Sequence, residues 1–151
     1  CTLAAAMIVD AALYYSHVGD CRIYLYRHRH LTQLTTDETF VQELLDAKFI
    51  TEAEVESHPM RHVVTNSLNV RGLSQNPVLQ SLRLQADDLI LLASDGLTNV
   101  LADRVIAEVL GQQQTPQQCV DRLMTSALDC GPRDNVSCVV LCPFTSACPR
   151  E

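Results

Sequence analysis

Tryptophan is absent from this chain, and aromatic residues make up only 5% of it. Any core must therefore be built from Leu, Val, Ile and Ala. Lysine is almost as scarce, with Lys48 the single example. At a formal net charge of −7 there is no basic stripe to neutralise a phosphate backbone, which excludes nucleic acid as a partner. No apolar run approaches the roughly 18 residues of a membrane helix, so no membrane partner is expected. The apolar start, Cys1 to Val9, has no basic flank and no cleavage context, which argues against a signal peptide. The seven cysteines form no C-x-x-C pair, and no cysteine–histidine set has zinc-finger spacing. Most lie inside apolar patterns and read as small buried hydrophobes of a reducing, cytoplasmic compartment.

What is present is a 151-residue chain that is 47% hydrophobic, enough for one domain with a real core. Thr2–Val9 and Ala12–Val18 are strand-length apolar runs, with a tight turn expected at Asp10-Ala11. Arg22–Tyr26 alternates with period two, and Leu31–Thr35 reads as its return strand after a polar turn. These four strands predict a β-meander, in which Gly19-Asp20 would be a hairpin turn. Phe40, Val41, Leu44 and Leu45 recur at helical spacing within Asp37–Lys48. Thr51-Glu52-Ala53-Glu54 is a capping-box signature for a short helix ended by His58-Pro59. Arg61–Asn76 has no clear period, and Leu73–Asn76 reads as loop. Val78–Leu84 alternates as a strand, and Leu89–Ala93 is a buried strand after the turn Ala86-Asp87-Asp88. Asp103 is expected to cap a helix through Leu110. Thr115-Pro116-Gln117-Gln118 combines an N-cap, a first-turn Pro and a capping-box Gln; its helix ends at Gly131-Pro132. The last strand is expected over Val136–Cys142. This order is not a regular βαβ alternation, so segregated layers, an α+β architecture, fit best. Residues 1–142 form the domain and 143–151 a tail.

Two acidic residues stand at the edges of apolar strands. Asp95 follows Leu89–Ala93 in Ser94-Asp95-Gly96, and Asp134 precedes Val136–Cys142 in Asp134-Asn135. Separated carboxylates at strand ends suit a hard cation such as Mg²⁺ or Mn²⁺. Each stretch is equally an ordinary turn: Asp95 could cap the next helix, and Gly131 to Asn135 has plain turn composition.

Their order shifts the balance. The chain carries Val18-Gly19-Asp20-Cys21-Arg22, then Thr36-Asp37-Glu38-Thr39, then His58-Pro59-Met60-Arg61-His62-Val63-Val64-Thr65. Leu91-Leu92-Ala93-Ser94-Asp95-Gly96-Leu97 and Gly131-Pro132-Arg133-Asp134-Asn135-Val136-Ser137 follow. In sequence and spacing these resemble the VGDSR, DH, HPxRNV(L/I)T, LLCSDGL and GGxDNxT stretches of the PP2C family of metal-dependent serine/threonine protein phosphatases, in its compact bacterial branch. The resemblance covers nearly the whole chain except the tail.

The resemblance implies an αββα sandwich of two antiparallel sheets flanked by helices, incomplete on its N-terminal side. It implies hydrolysis of phosphoserine or phosphothreonine in proteins, with two Mn²⁺ or Mg²⁺ ions and a third, weaker site. Asp95 and Asp134 match ligands of the metal pair, and Asp37 matches a ligand of the third ion. Asn135 matches a neighbour of that shell or a phosphate-side group. Asp20 matches a structural position in its turn. Arg61 and His62 lie near the cleft as substrate-side candidates, with a helix-end or surface role as the alternative. Phosphorylated proteins would be the partners, opposite a serine/threonine kinase in bacterial signalling. The one C-x₅-R spacing, Cys21 to Arg27, runs through the alternating strand Arg22–Tyr26 and not through a loop, which argues against a cysteine nucleophile.

The departures are Cys21 for Ser, Glu38 for His, and Asn69 where the family has Gly. The family's acidic ED and DGxGG motifs, which supply the metal-bridging Asp, are absent, and Asp10 does not replace them. The chain has no initiator Met and is expected to be the C-terminal portion of a phosphatase, inactive alone. The alternative is a catalytically inactive module that binds phosphoprotein or regulates. A receiver domain with Asp95 as phosphoacceptor is disfavoured, because the sole lysine lies upstream of it.

Overall fold

The computed structural model describes residues 1–55, 57–70, 72–73, 75–112 and 115–143. Two hairpins open it. Strands β1 (Leu3–Val9) and β2 (Ala12–Val18) pair through the two-residue turn Asp10-Ala11, with φ of 46° and 63°. Strands β3 (Arg22–Arg27) and β4 (His30–Gln33) pair through His28-Arg29, with φ of 50° and 65°. Consecutive left-handed residues are what a two-residue hairpin needs to match strand twist.

The chain continues with helices α1 (Phe40–Asp46) and α2 (Glu52–Val55) and the short strands β5 (Leu68–Asn69) and β6 (Gly72–Leu73). Then come β7 (Gln80–Arg83), β8 (Leu89–Ala93), α3 (Asp95–Thr98), α4 (Asp103–Leu110), α5 (Pro116–Asp129) and β9 (Cys138–Leu141). The expected meander is not formed. β2 pairs with β1 and β7, whereas β3 pairs with β4 and β8, so the turn after Val18 crosses between two sheets. The second sheet runs β4-β3-β8-β9, antiparallel throughout. β5 and β6 form a separate ribbon, where the sequence read Leu73 as loop.

Strand alternation builds two cores. Leu91 and Ala93 of β8, Tyr24 of β3 and Val140 of β9 face Leu97, Ile106, Leu110, Cys119 and Leu123 of the helices. Ile90 and Leu92 of β8 with Ile23 of β3 face the other way, onto Leu13 and Tyr15 of β2 and the small residues Ala4 and Ala6 of β1. Helices, four-stranded sheet and three-stranded sheet are thus three layers of the expected α+β sandwich. On the outer face of β1, Leu3, Met7 and Val9 stay exposed, so no helix of the described residues covers that strand.

Local signals fix the helix ends. Thr115 accepts from the Gln118 N–H while the Gln118 side chain accepts from the Thr115 N–H, and Pro116 fills the first position. Glu54 likewise reaches back to the Thr51 N–H at 2.8 Å. Asp103 is not a cap. Ala102 takes that place, and the Asp103 carboxylate instead accepts from the Tyr24 hydroxyl at 3.1 Å. The cysteines divide. Cys119 is buried and Cys21, Cys138 and Cys142 are half-buried, but Cys1 and Cys130 are exposed. Residues 144–151, including Cys148 and most of the expected tail, lie outside the described residues.

Candidate metal centre

β8 and β9 end side by side, and the loops beyond them converge. The Ser94 N–H donates to the Ser137 carbonyl at 2.9 Å, and the Ser137 N–H returns a bond to Ser94 Oγ at 3.0 Å. Gly96 lies so close to the opposite loop that a Cβ there would sit 2.3 Å from the Asn135 carbonyl oxygen. This approach of two backbones is what brings the Asp95 stretch onto the Asp134-Asn135 stretch. Asp95 opens α3, where its carboxylate accepts from the Asn99 side chain at 3.2 Å. Asp134 is exposed, with one carboxylate oxygen held by the Asn135 N–H at 2.7 Å.

Asp20 lies in the crossover between the sheets. Its carboxyl is held above the ordinary carboxylate range, first by burial and then by the negative charge of Asp95; Asp37 contributes less. From the sequence, Asp20 reads as a structural position in its turn. The signal for it was present in a glycine-led turn carrying an acid, but Asp95, whose charge acts on it, is far away along the chain.

Asp37 is placed differently. Arg22 grips it in a fork, with Nε 2.9 Å from Oδ1 and Nη2 2.7 Å from Oδ2, and Gln33 adds a bond at 3.3 Å. Burial works against the charge on Arg22, yet the Asp37 hydrogen bonds outweigh it and hold the guanidinium above its ordinary value. Arg22 also donates to the Tyr24 hydroxyl, and burial pushes that phenol up to about 12. A carboxylate already saturated by a bidentate arginine has few lone pairs left for a cation.

Beside Asp37 a cavity of about 280 Å³ is lined by His17, Glu38, Gln42, Glu43 and Asp46 among others. Its lining carries four carboxylates, Asp37, Glu38, Glu43 and Asp46, a charge unfavourable to a phosphate dianion. Arg61 and His62 sit on an exposed turn beyond α2 and line no part of this cavity.

The donors at the loop junction are all carboxylate oxygens, the right chemistry for Mn²⁺ or Mg²⁺. Among the described residues, however, no group of three or more His, Cys, Asp or Glu side chains closes into a metal cage.

Comparison with known proteins agrees with this geometry. The family model described as Protein phosphatase 2C matches residues 59–136. Serine/threonine protein phosphatase PstP of Mycobacterium tuberculosis is 40% identical over 141 residues, covering 92% of this chain and 26% of that protein. Protein phosphatase PhpP of Streptococcus pneumoniae is 34% identical over 136 residues, covering 90% of this chain and 55% of that protein. The chain therefore spans about half or less of the curated relatives it matches. The crystal structure of M. tuberculosis PstP/Ppp superposes with a TM-score of 0.85, covering 92% of this chain and 58% of that one. A structure of the PstP catalytic domain in complex with two manganese ions superposes with a TM-score of 0.77 at 35% identity, covering 92% and 56%. From its motifs, its sheets and these matches, the chain belongs to the protein phosphatase 2C family.

Proposed function

We propose that this chain is the metal-binding half of a manganese- or magnesium-dependent phosphatase acting on phosphoserine and phosphothreonine in proteins. The observation that carries the proposal is the convergence of the Asp95 and Asp134 loops across the Gly96–Asn135 contact. Asp95 and Asp134 would hold the metal pair, with Asp20 under the electrostatic influence of Asp95. Asn135 orients the Asp134 loop through its own N–H. When bound, divalent ions lower the pKa of a water and neutralise phosphoryl oxygens that would otherwise repel it. Arg61 and His62 are assigned to the substrate side, outside the acidic cavity. The partners would be phosphorylated proteins made by a serine/threonine kinase, in the cytoplasm. No helix among the described residues is long and apolar enough to cross a membrane.

The chain supplies too few ligands for a full shell, so turnover is expected only when a further acidic ligand is added. The test joins this chain to the portion of the M. tuberculosis catalytic domain that it does not cover. Mn²⁺-dependent hydrolysis of a phosphothreonine peptide, lost in Asp134→Ala, is the expected result. Hydrolysis that persists in EDTA would refute the reading. The partial cage also motivates a second reading, a phosphoprotein-binding module without turnover. Micromolar phosphopeptide binding by the chimera, with no hydrolysis at any Mn²⁺ concentration, would favour it.

A further inference from the structure

Three residues, Gly19-Asp20-Cys21, carry the chain from β2 to β3. The turn is gripped on both sides. The Gly19 N–H donates to Glu38 Oε2 at 2.6 Å, and the Glu38 N–H donates back to the Gly19 carbonyl at 3.0 Å. Cys21 Sγ lies 3.1 Å from Thr2 Oγ1. Arg22, the next residue, is forked onto Asp37. Gly19 has φ of +92°, and a Cβ there would meet Thr2 Cγ2 at 2.3 Å, so the turn has no room to relax on that side.

The residues that supply the grip are themselves anchored. The Glu38 carbonyl accepts from the Thr65 N–H at 2.8 Å, and the Phe40 N–H donates to the Val63 carbonyl at 2.8 Å. Asp37 and Glu38 are thus adjacent residues that seize the turn on either side of Asp20. Both contacts are charge-assisted, the stronger class of hydrogen bond. Glu38 stands where the family pattern carries His, so its grip on Gly19 belongs to this chain's own sequence.

We propose that Glu38 and Asp37 are positioning residues, a two-carboxylate clamp that fixes the crossover turn and with it the place of the Asp20 carboxylate. Neither is then a metal ligand, and both act through the backbone and Arg22. The metal part of this inference rests on the phosphatase reading above. The clamp part rests on the contacts alone.

The test reads amide exchange in the chain as it is, and Mn²⁺-induced line broadening in the chain joined to the missing portion of the catalytic domain, both residue by residue by NMR. In Glu38→Ala the Gly19 amide should exchange about tenfold faster, the size expected for one charge-assisted bond of ~1.4 kcal/mol. The Ile23 and Leu91 amides, deep in the two cores, should not change and thereby report an intact fold. The Mn²⁺ midpoint read at Asp20 should rise several-fold, while Glu38→Gln, which keeps an acceptor, restores most of both effects. Unchanged Gly19 exchange in Glu38→Ala would overturn the clamp, as would Mn²⁺ broadening at Asp20 identical to wild type. Absence of broadening at Asp20, Asp95 and Asp134 in the wild-type chain joined to the missing portion of the catalytic domain would instead overturn the metal-site reading beneath it.

Discussion

Gly96 is the position at which the site can be opened without touching a carboxylate. A Cβ at 96 would lie 2.3 Å from the Asn135 oxygen and 3.0 Å from its carbonyl carbon. Both are backbone atoms, so no rotamer change can make room. Ordinary van der Waals contact begins at 3.4 Å, so the loops must part by roughly 1 Å, comparable with the displacements that cost about 100-fold in catalysis. Parting them stretches the paired bonds between Ser94 and Ser137, at 2.9 and 3.0 Å, beyond useful length. Those two bonds contribute roughly 1 kcal/mol each. Overpacking adds about 1 kcal/mol, and the helix preference of Ala over Gly returns about 1. Gly96→Ala should therefore lose about 2 kcal/mol in urea unfolding and shift the backbone resonances of Asn135 and Val136. Gly131→Ala is the control: with φ of +68° and open space around it, it should cost about 1 kcal/mol from backbone strain alone and leave residue 95 unmoved. A Gly96→Ala variant as stable as wild type, with resonances at 134–137 unshifted, would refute the argument that this contact sets the spacing of the loops.

Three further outcomes follow from contacts outside the site. Asp88 is fully buried and forked onto Arg27 at 2.7 and 2.8 Å. Asp88→Ala should cost about 2 kcal/mol by removing the acceptor of the Arg27 fork and of the Gln85 N–H, measured by chemical denaturation. Burial alone would raise the Asp88 carboxyl, but the Arg27 bonds and the Gln85 N–H hold it below its ordinary value. A depressed folded-state pKa stabilises above the unfolded value near 4 and is lost as pH falls through the folded value, so wild-type stability should drop below about pH 4 and Asp88→Asn should flatten that slope. At the start of α5, Thr115→Ala removes one half of the capping box and should lower stability by about 1 kcal/mol; no loss in thermal unfolding would show that the packed face alone holds the helix.

Where the deciding interactions are local, the sequence is informative. Thr115 and Gln118 satisfy each other within one turn, and the hairpin turn at Asp10-Ala11 needs only its own dihedrals. β8 is apolar along its whole length because both its faces are buried, and its bounds are readable for that reason. Partners distant along the chain defeat such reading. Nothing in Gly19-Asp20 reveals that the next strand will join a different sheet, because that depends on β3 pairing with β8. The ion pair that occupies Asp37 likewise depends on Arg22 arriving from another strand. Asp103 looked like a cap because its type favours caps, and the Tyr24 hydroxyl across the core claimed it instead. At the site, the positions of Asp95 and Asp134 were legible from the strands they flank. The electrostatic influence of Asp95 on Asp20 was not, since it depends on the crossover.

The shared strand β8 has one more consequence. Its odd residues, Leu91 and Ala93, belong to one core and its even residues, Ile90 and Leu92, to the other. A slip of one residue against β3 or β9 would exchange the two sets at once. It would also carry Asp95, two residues past the strand end, about 3.3 Å along the sheet axis and away from the Asp134 loop. The packing of the aliphatic side chains in both cores thereby acts as a ruler for a carboxylate that lies beyond the strand end. Misregistration that the site could not tolerate is already forbidden by oil and water.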